Sequence, residues 1–211
     1  MSQGDSSRET YVVQREDTLY SIAWRHNLDY RALARWNGIG SDYRISVGQI
    51  LSLRPAPPPL ATSPAKPATP PGAAVPPRVA TAPAQEPASG RWMWPTSVLE
   101  SPRAVAGGGI LLQGLLGQPV RAACGGRVVY VGSGIRGFGN LIIIKHDDSL
   151  LSAYAYTREV AVHEAQEVLR GQVIAQMGLG PHQSPALYFE IRFNGKPVDP
   201  LPYLGAEIMR R

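Results

Sequence analysis

Cysteine occurs once in the 211 residues, at Cys124, which excludes an intramolecular disulfide framework and any CxxC metal pair. In the context "RAACGGRVVYVG" it reads as a small core residue. Long hydrophobic runs are missing: nothing reaches the ~18 apolar residues of a membrane span, and the opening "MSQGDSSRET" has no apolar core of a signal peptide. On this reading the chain either stays in the cytoplasm or has had its export signal removed. Charge is also sparse. Only 18% of the residues are charged, and the 21 Lys+Arg that exceed 16 Asp+Glu to give +5 are spread thinly, so no dense basic run marks a nucleic-acid surface. Weak attraction to an anionic envelope polymer accounts for the excess equally well. The 44% of hydrophobic residues suffices for real cores.

Proline and glycine are what the sequence has in quantity, 20 and 22 residues, and the prolines are concentrated. Residues 55–90, "PAPPPLATSPAKPATPPGAAVPPRVATAPAQEPASG", are mostly Pro and Ala with almost no charge. Such a segment cannot bury enough apolar area to offset its conformational entropy and reads as a linker. At ~3.1 Å per residue it would span on the order of 100 Å if wholly extended, which predicts flanking modules that move independently. The chain divides into a disordered N-terminus over 1–9, a module over 10–54, the linker over 55–90, a second module over 91–205 and a C-terminal tail over 206–211.

The first module opens with the strand pattern "YVVQ". In "EDTLYSIAWRHN", Leu19, Ile22 and Ala23 fall at helical spacing with Asp17 or Thr18 placed to cap. "DYRALARWNG" repeats the arrangement, with Asp29 as cap, Leu33 and Trp36 as apolar face and Gly38 where a helix would end; "ISVGQILSL" returns as a strand. This β, α, α, β order, with "DTLYSIA", "WN" and "VGQIL" in sequence, resembles a LysM domain, although Glu16 stands where many members have Gly. The resemblance implies weak binding to the N-acetylglucosamine-containing glycan of peptidoglycan or chitin, in a shallow groove between Asp17, Thr18 and Leu19 on one loop and Asn37, Gly38 and Ile39 on another.

The second module is punctuated by glycine and rich in strands. "QPVRAACGGRVVYVGS", "GNLIIIKHDD", "LLSAYAYT", "GQVIAQMG" and "ALYFEIRFNGKPVDP" read as short strands joined by Gly, Asp-Asp or Asn-Gly turns, with the polar "VHEAQEVLRGQ" as a loop. The predicted fold is mainly β with at most one short helix. Alternation in the last strand sets Leu187, Phe189, Ile191 and Phe193 on a core face and Ala186, Tyr188, Glu190 and Arg192 on the other. That second face reads as pointing to water, or to something that binds there.

From about Trp94 to Leu204 the sequence resembles the LytM-type, lysostaphin-like zinc metallopeptidases, with their duplicated hybrid motif. Members hold zinc with the His and Asp of HxGxD and the last His of HxH, leaving an open position for an activated water. Here the matching segments read "GGGIL" and "ALY", so Gly107, Leu111 and Tyr188 occupy the three ligand positions; a further "YAH" element reads "YAY" and ends at Tyr156. His146, His163 and His182 share no short spacing and read as solvated loop residues. Glu190 with Arg192 reads as an ion pair or a contact surface, and no cofactor is expected.

A LysM module, a Pro/Ala linker and a LytM domain without ligands together resemble the NlpD group of murein hydrolase activators. That resemblance implies a non-catalytic envelope protein, periplasmic and in many members an outer-membrane lipoprotein, which switches on a periplasmic N-acetylmuramoyl-L-alanine amidase through its metal-free cleft during daughter-cell separation. The cleft residues it points to are Gly108, Leu111, Phe138, Leu141, Tyr156, Tyr188 and Arg192. A peptidoglycan endopeptidase with an atypical metal site and a purely structural wall-binding protein are the alternatives.

Overall fold

The computed structural model describes residues 10–55 and 92–205; both terminal segments and nearly all of the linker lie outside the described residues. In the first module, strand β1 (Thr10–Val12) leads to helix α1 (Leu19–Arg25). Thr18 is the cap: its Oγ1 accepts from Ser21 N at 3.1 Å while Ser21 Oγ accepts from Thr18 N at 3.0 Å, so two donors that a helix start leaves orphaned are satisfied reciprocally. Asp29 caps α2 (Tyr30–Trp36) by accepting from Arg31 N at 2.8 Å and Ala32 N at 3.0 Å. β2 (Ile50–Ser52) pairs antiparallel with β1, and the module's own core gathers Leu19, Ile22, Leu33 and Leu51, each fully buried. The strands are shorter than the sequence pattern, three residues each.

The second module runs through β3 (Arg103–Ala104), β4 (Ile110–Gln113), β5 (Pro119–Arg121), β6 (Gly126–Gly132), β7 (Asn140–Lys145) and β8 (Leu150–Arg158). It continues with β9 (Glu167–Val168), β10 (Val173–Met177), β11 (Ala186–Phe193), β12 (Lys196–Val198) and the short helix α3 (Leu201–Leu204). The strands form one antiparallel sheet of order β3-β4-β11-β8-β7-β6-β9, with β10 bridging β8 and β5 and β12 hairpinned to β11. The segment read as a polar loop contributes only β9, which edges β6. Among the described residues no helix is long and apolar enough to cross a membrane.

Both faces of the central strands are covered. Ile142, Ile144, Tyr154, Leu187 and Phe189 pack into the module's inner core with Trp92 and Trp94. Leu141, Ile143, Leu151, Ala153, Ala155 and Tyr188 join a second core whose other half is the first module, including Trp24, Tyr30 and Leu33. Two expectations are corrected here. The linker's reach predicts independent modules, yet the modules are packed together, because a long tether permits separation without imposing it and this sheet face is too apolar to stand bare. The Tyr188, Glu190 and Arg192 face, read as pointing to water or to something that binds there, does not meet water: the three are 5%, 1% and 5% exposed, and Trp24 of the first module lies over Arg192.

Candidate functional site: the cleft face of the second module

Tyr188, Glu190 and Arg192 project from one face of β11 because their spacing of two matches the strand period. Arg192 Nε donates to Glu190 Oε1 at 2.7 Å. Tyr188 Oη lies 2.5 Å from both Glu190 Oε2 and the carbonyl of Gly108. Burial pushes the Glu190 carboxyl up, against the Arg192 guanidinium and the Tyr188 hydrogen bond, which pull it down. Burial and the adjoining Glu190 charge also push the Tyr188 phenol up, so it is a neutral donor at all working pH values.

The loop before β4 is shaped to this phenol. Gly107, Gly108 and Gly109 have φ of +94°, +99° and +96°, a run that only glycine adopts without strain, and a Cβ on Gly109 would sit 2.8 Å from Tyr188 Oη. Tyr188 is the cross-strand partner of Leu111, its ring is 5.2 Å from Phe138 and 6.4 Å from Tyr156. Tyr156 itself has φ of +61° beside a bulge between β7 and β8. The fold therefore brings together Gly108, Leu111, Phe138, Tyr156, Tyr188 and Arg192, while Leu141 lies beneath them, fully buried.

On the first module the six groove residues divide. Asp17 accepts from Tyr11 Oη at 2.7 Å and Gln14 N at 2.9 Å and pairs with Arg25 at 3.2 Å. Leu19 is core. Asn37 fastens α2 to β2 by donating to Leu33 O and Ser52 O and accepting from Ser52 N. Thr18 and Ile39 are half-buried and Gly38 is exposed.

His146 departs from its expected place as a solvated loop residue. Its Nδ1 lies 2.8 Å from Gly125 O and its Nε2 2.7 Å from Ser152 Oγ, which in turn is 3.0 Å from Tyr154 Oη. Ser152 is fully buried, so this Ser and His pair braces the turn before β8 and is out of reach of any substrate. Cys124 is buried in the inner core.

Comparison with known proteins places this arrangement. The LysM domain profile matches residues 11–54 and that of Peptidase family M23 matches residues 106–200. A Pseudomonas aeruginosa protein named Lipoprotein NlpD/LppB homolog is 44% identical over 92% of this chain and 76% of its own length. The chain belongs to the NlpD family. Escherichia coli Murein hydrolase activator NlpD is 40% identical, with 95% of this chain and 69% of that protein covered. The crystal structure of a Pseudomonas aeruginosa protein assigned to peptidase M23 shares the fold at TM-score 0.50 and 24% identity, over 56% of this chain and 51% of that one.

The M23 fold implies zinc, and the residues of this NlpD-family chain do not fit it. Gly107 offers no side chain, Leu111 is hydrocarbon, and the Tyr188 phenol is engaged by Glu190 and Gly108. Among the described residues no three His, Cys, Asp or Glu side chains gather. Sequence reading missed Trp24, whose indole covers this site with Arg192 Cζ 3.6 Å from its centroid. The signal was present: Tyr20 and Trp24, four apart, form a second apolar stripe on α1 beside the Leu19, Ile22 and Ala23 stripe.

Proposed function

We propose that this chain is a non-catalytic activator of a periplasmic N-acetylmuramoyl-L-alanine amidase, acting in daughter-cell separation. The first module holds it on peptidoglycan, and the cleft face of the second module engages the enzyme. The observation that carries this reading is the Tyr188 phenol, seated against Glu190 and Gly108 where a metallopeptidase would place its third zinc ligand. Its cleft neighbours supply aromatic faces and a guanidinium, the residue types that dominate the energetic centres of protein interfaces. A relative named Murein hydrolase activator NlpD supports the activator role, and relatives named lipoproteins support a place at the outer membrane. On the first module, Thr18, Gly38 and Ile39 are the groove residues left to touch sugar, while Asp17, Leu19 and Asn37 hold the loops that carry them.

The test is release of dye from labelled peptidoglycan by the full chain, a candidate amidase, or both. The expected result is release by the amidase that rises strongly when the chain is added, and none from the chain alone with or without zinc. Tyr188→Ala is expected to lower amidase affinity about thirtyfold, the ~2 kcal/mol of a truncated interface anchor. Chelator-sensitive release by the chain alone would assign it to the peptidases. Pelleting with peptidoglycan but no effect on any amidase would make it a structural wall protein.

A further inference from the structure

The face that the proposed function gives to a partner is already occupied. Arg192 has its Nε on Glu190, its Nη1 donating to the carbonyl of Trp24 at 3.0 Å, and the plane of its guanidinium under the Trp24 indole. At the far end of β11, the turn of Asn194 and Gly195 touches the connection between α1 and α2. A Cβ on Gly195 would lie 2.6 Å from Asp29 N and Cα, so the close approach needs glycine. Arg31 Nη2 donates to Asn194 Oδ1 at 2.5 Å, and Tyr30 Oη donates to Asp148 O at 3.2 Å. No partner can take the Arg192 guanidinium while Trp24 sits on it.

The same seam carries marks of reversibility. The buried indole N–H of Trp24 finds no acceptor among the described residues, an unmet donor that weakens the contact. A cavity of ≈ 570 Å³, lined by Tyr11 and Arg25 of the first module and by Gly107 and Tyr188 of the second, interrupts the side-chain packing between them. The tether of residues 55–90 keeps the first module at an effective concentration of order millimolar, which a partner must overcome.

We propose, resting on the activator reading, that the first module is a reversible cap on the cleft: the chain is closed to its amidase while Trp24 covers Arg192 and binds it once the modules part. A partner's apparent affinity is then reduced by the fraction of open chain. The kind of partner the cleft accepts is described by its present occupant, an aromatic side chain near the end of a helix whose own backbone carbonyl accepts from the Arg192 guanidinium.

The experiment uses full-length chain, its Trp24→Ala variant and, independently, Gly195→Ala, which adds a methyl against Asp29 and strains the β11–β12 turn, where φ is +76°, but leaves α1 intact; retained melting and circular dichroism show that the sheet survives. Small-angle scattering is expected to give a compact parent and a larger radius of gyration for both variants. Amidase binding, by titration of the same samples, is expected to tighten about tenfold in both. This gain is opposite in sign to the loss expected of Tyr188→Ala. A parent that scatters as separate modules, or opened variants that bind no tighter than the parent, overturns the cap. If opened variants and parent alike bind no amidase, the activator reading falls, and scattering alone decides whether the cap exists.

Discussion

Glu190 holds one carboxyl between a phenol and a guanidinium, and counting protons shows what this asks of it. Tyr188 has a single O–H facing two acceptors, Gly108 O and Glu190 Oε2. If Glu190 carries a proton, it donates to Tyr188 Oη, the phenol donates to Gly108, and every group is satisfied. Burial pushes the Glu190 carboxyl in that direction. A carboxyl whose folded pKa lies above its unfolded value binds more protons in the folded state. Its contribution is therefore greatest at low pH and is lost as pH rises through the folded value. Glu190→Gln, which keeps the shape and cannot titrate, is expected to flatten the decline in melting temperature between pH 4 and 8 relative to the parent; parallel profiles for the two proteins would show that the group does not titrate there.

At the scale of elements, much of the architecture was legible and one relation was not. Capping residues, the apolar stripes of α1 and α2 and the Asn-Gly hairpin fix local structure through neighbours in sequence, so Thr18, Asp29 and Gly195 announce their roles. The alternation of β11 also separated the inner-core face of Leu187, Phe189 and Ile191 from the face of Tyr188. What alternation could not give was the second face of β7: Leu141, Ile142, Ile143 and Ile144 are all fully buried, a continuous run that signals a strand covered on both sides. The sequence holds that signal without naming the cover. The seam itself can be titrated. Tyr20 is pushed up to about 12 from 10.0 by burial and by the neighbouring Tyr30, over the opposing pull of Lys145, with ring centroids 4.5 Å apart for Tyr20 and Tyr30. The folded state keeps that proton longer than the unfolded state. Stability from this group is thus intact below pH 10 and is lost from there through about 12. Tyr20→Phe is expected to soften the drop in melting temperature between pH 10 and 12, and an unchanged drop would place the alkaline sensitivity elsewhere.

For the whole molecule, the tether and the packed seam answer different questions. Composition of residues 55–90 told how far apart the modules can be, and the structure tells where one rests on the other. Nothing in a linker's makeup encodes the second. The doubly covered sheet then has a consequence for handling. When the first module lifts, Leu141, Ile143, Leu151 and Ala153, all 5% exposed or less in the closed form, are bared with Tyr188 as one contiguous oily surface, the kind that soluble proteins do not leave exposed. Opened chains without an enzyme to clasp should stick to one another: light scattering of Trp24→Ala is expected to show self-association growing with concentration and abolished by stoichiometric amidase, while the parent stays monodisperse. A released activator is in this sense short of a solvent, and its own insolubility limits how long it can wander unengaged.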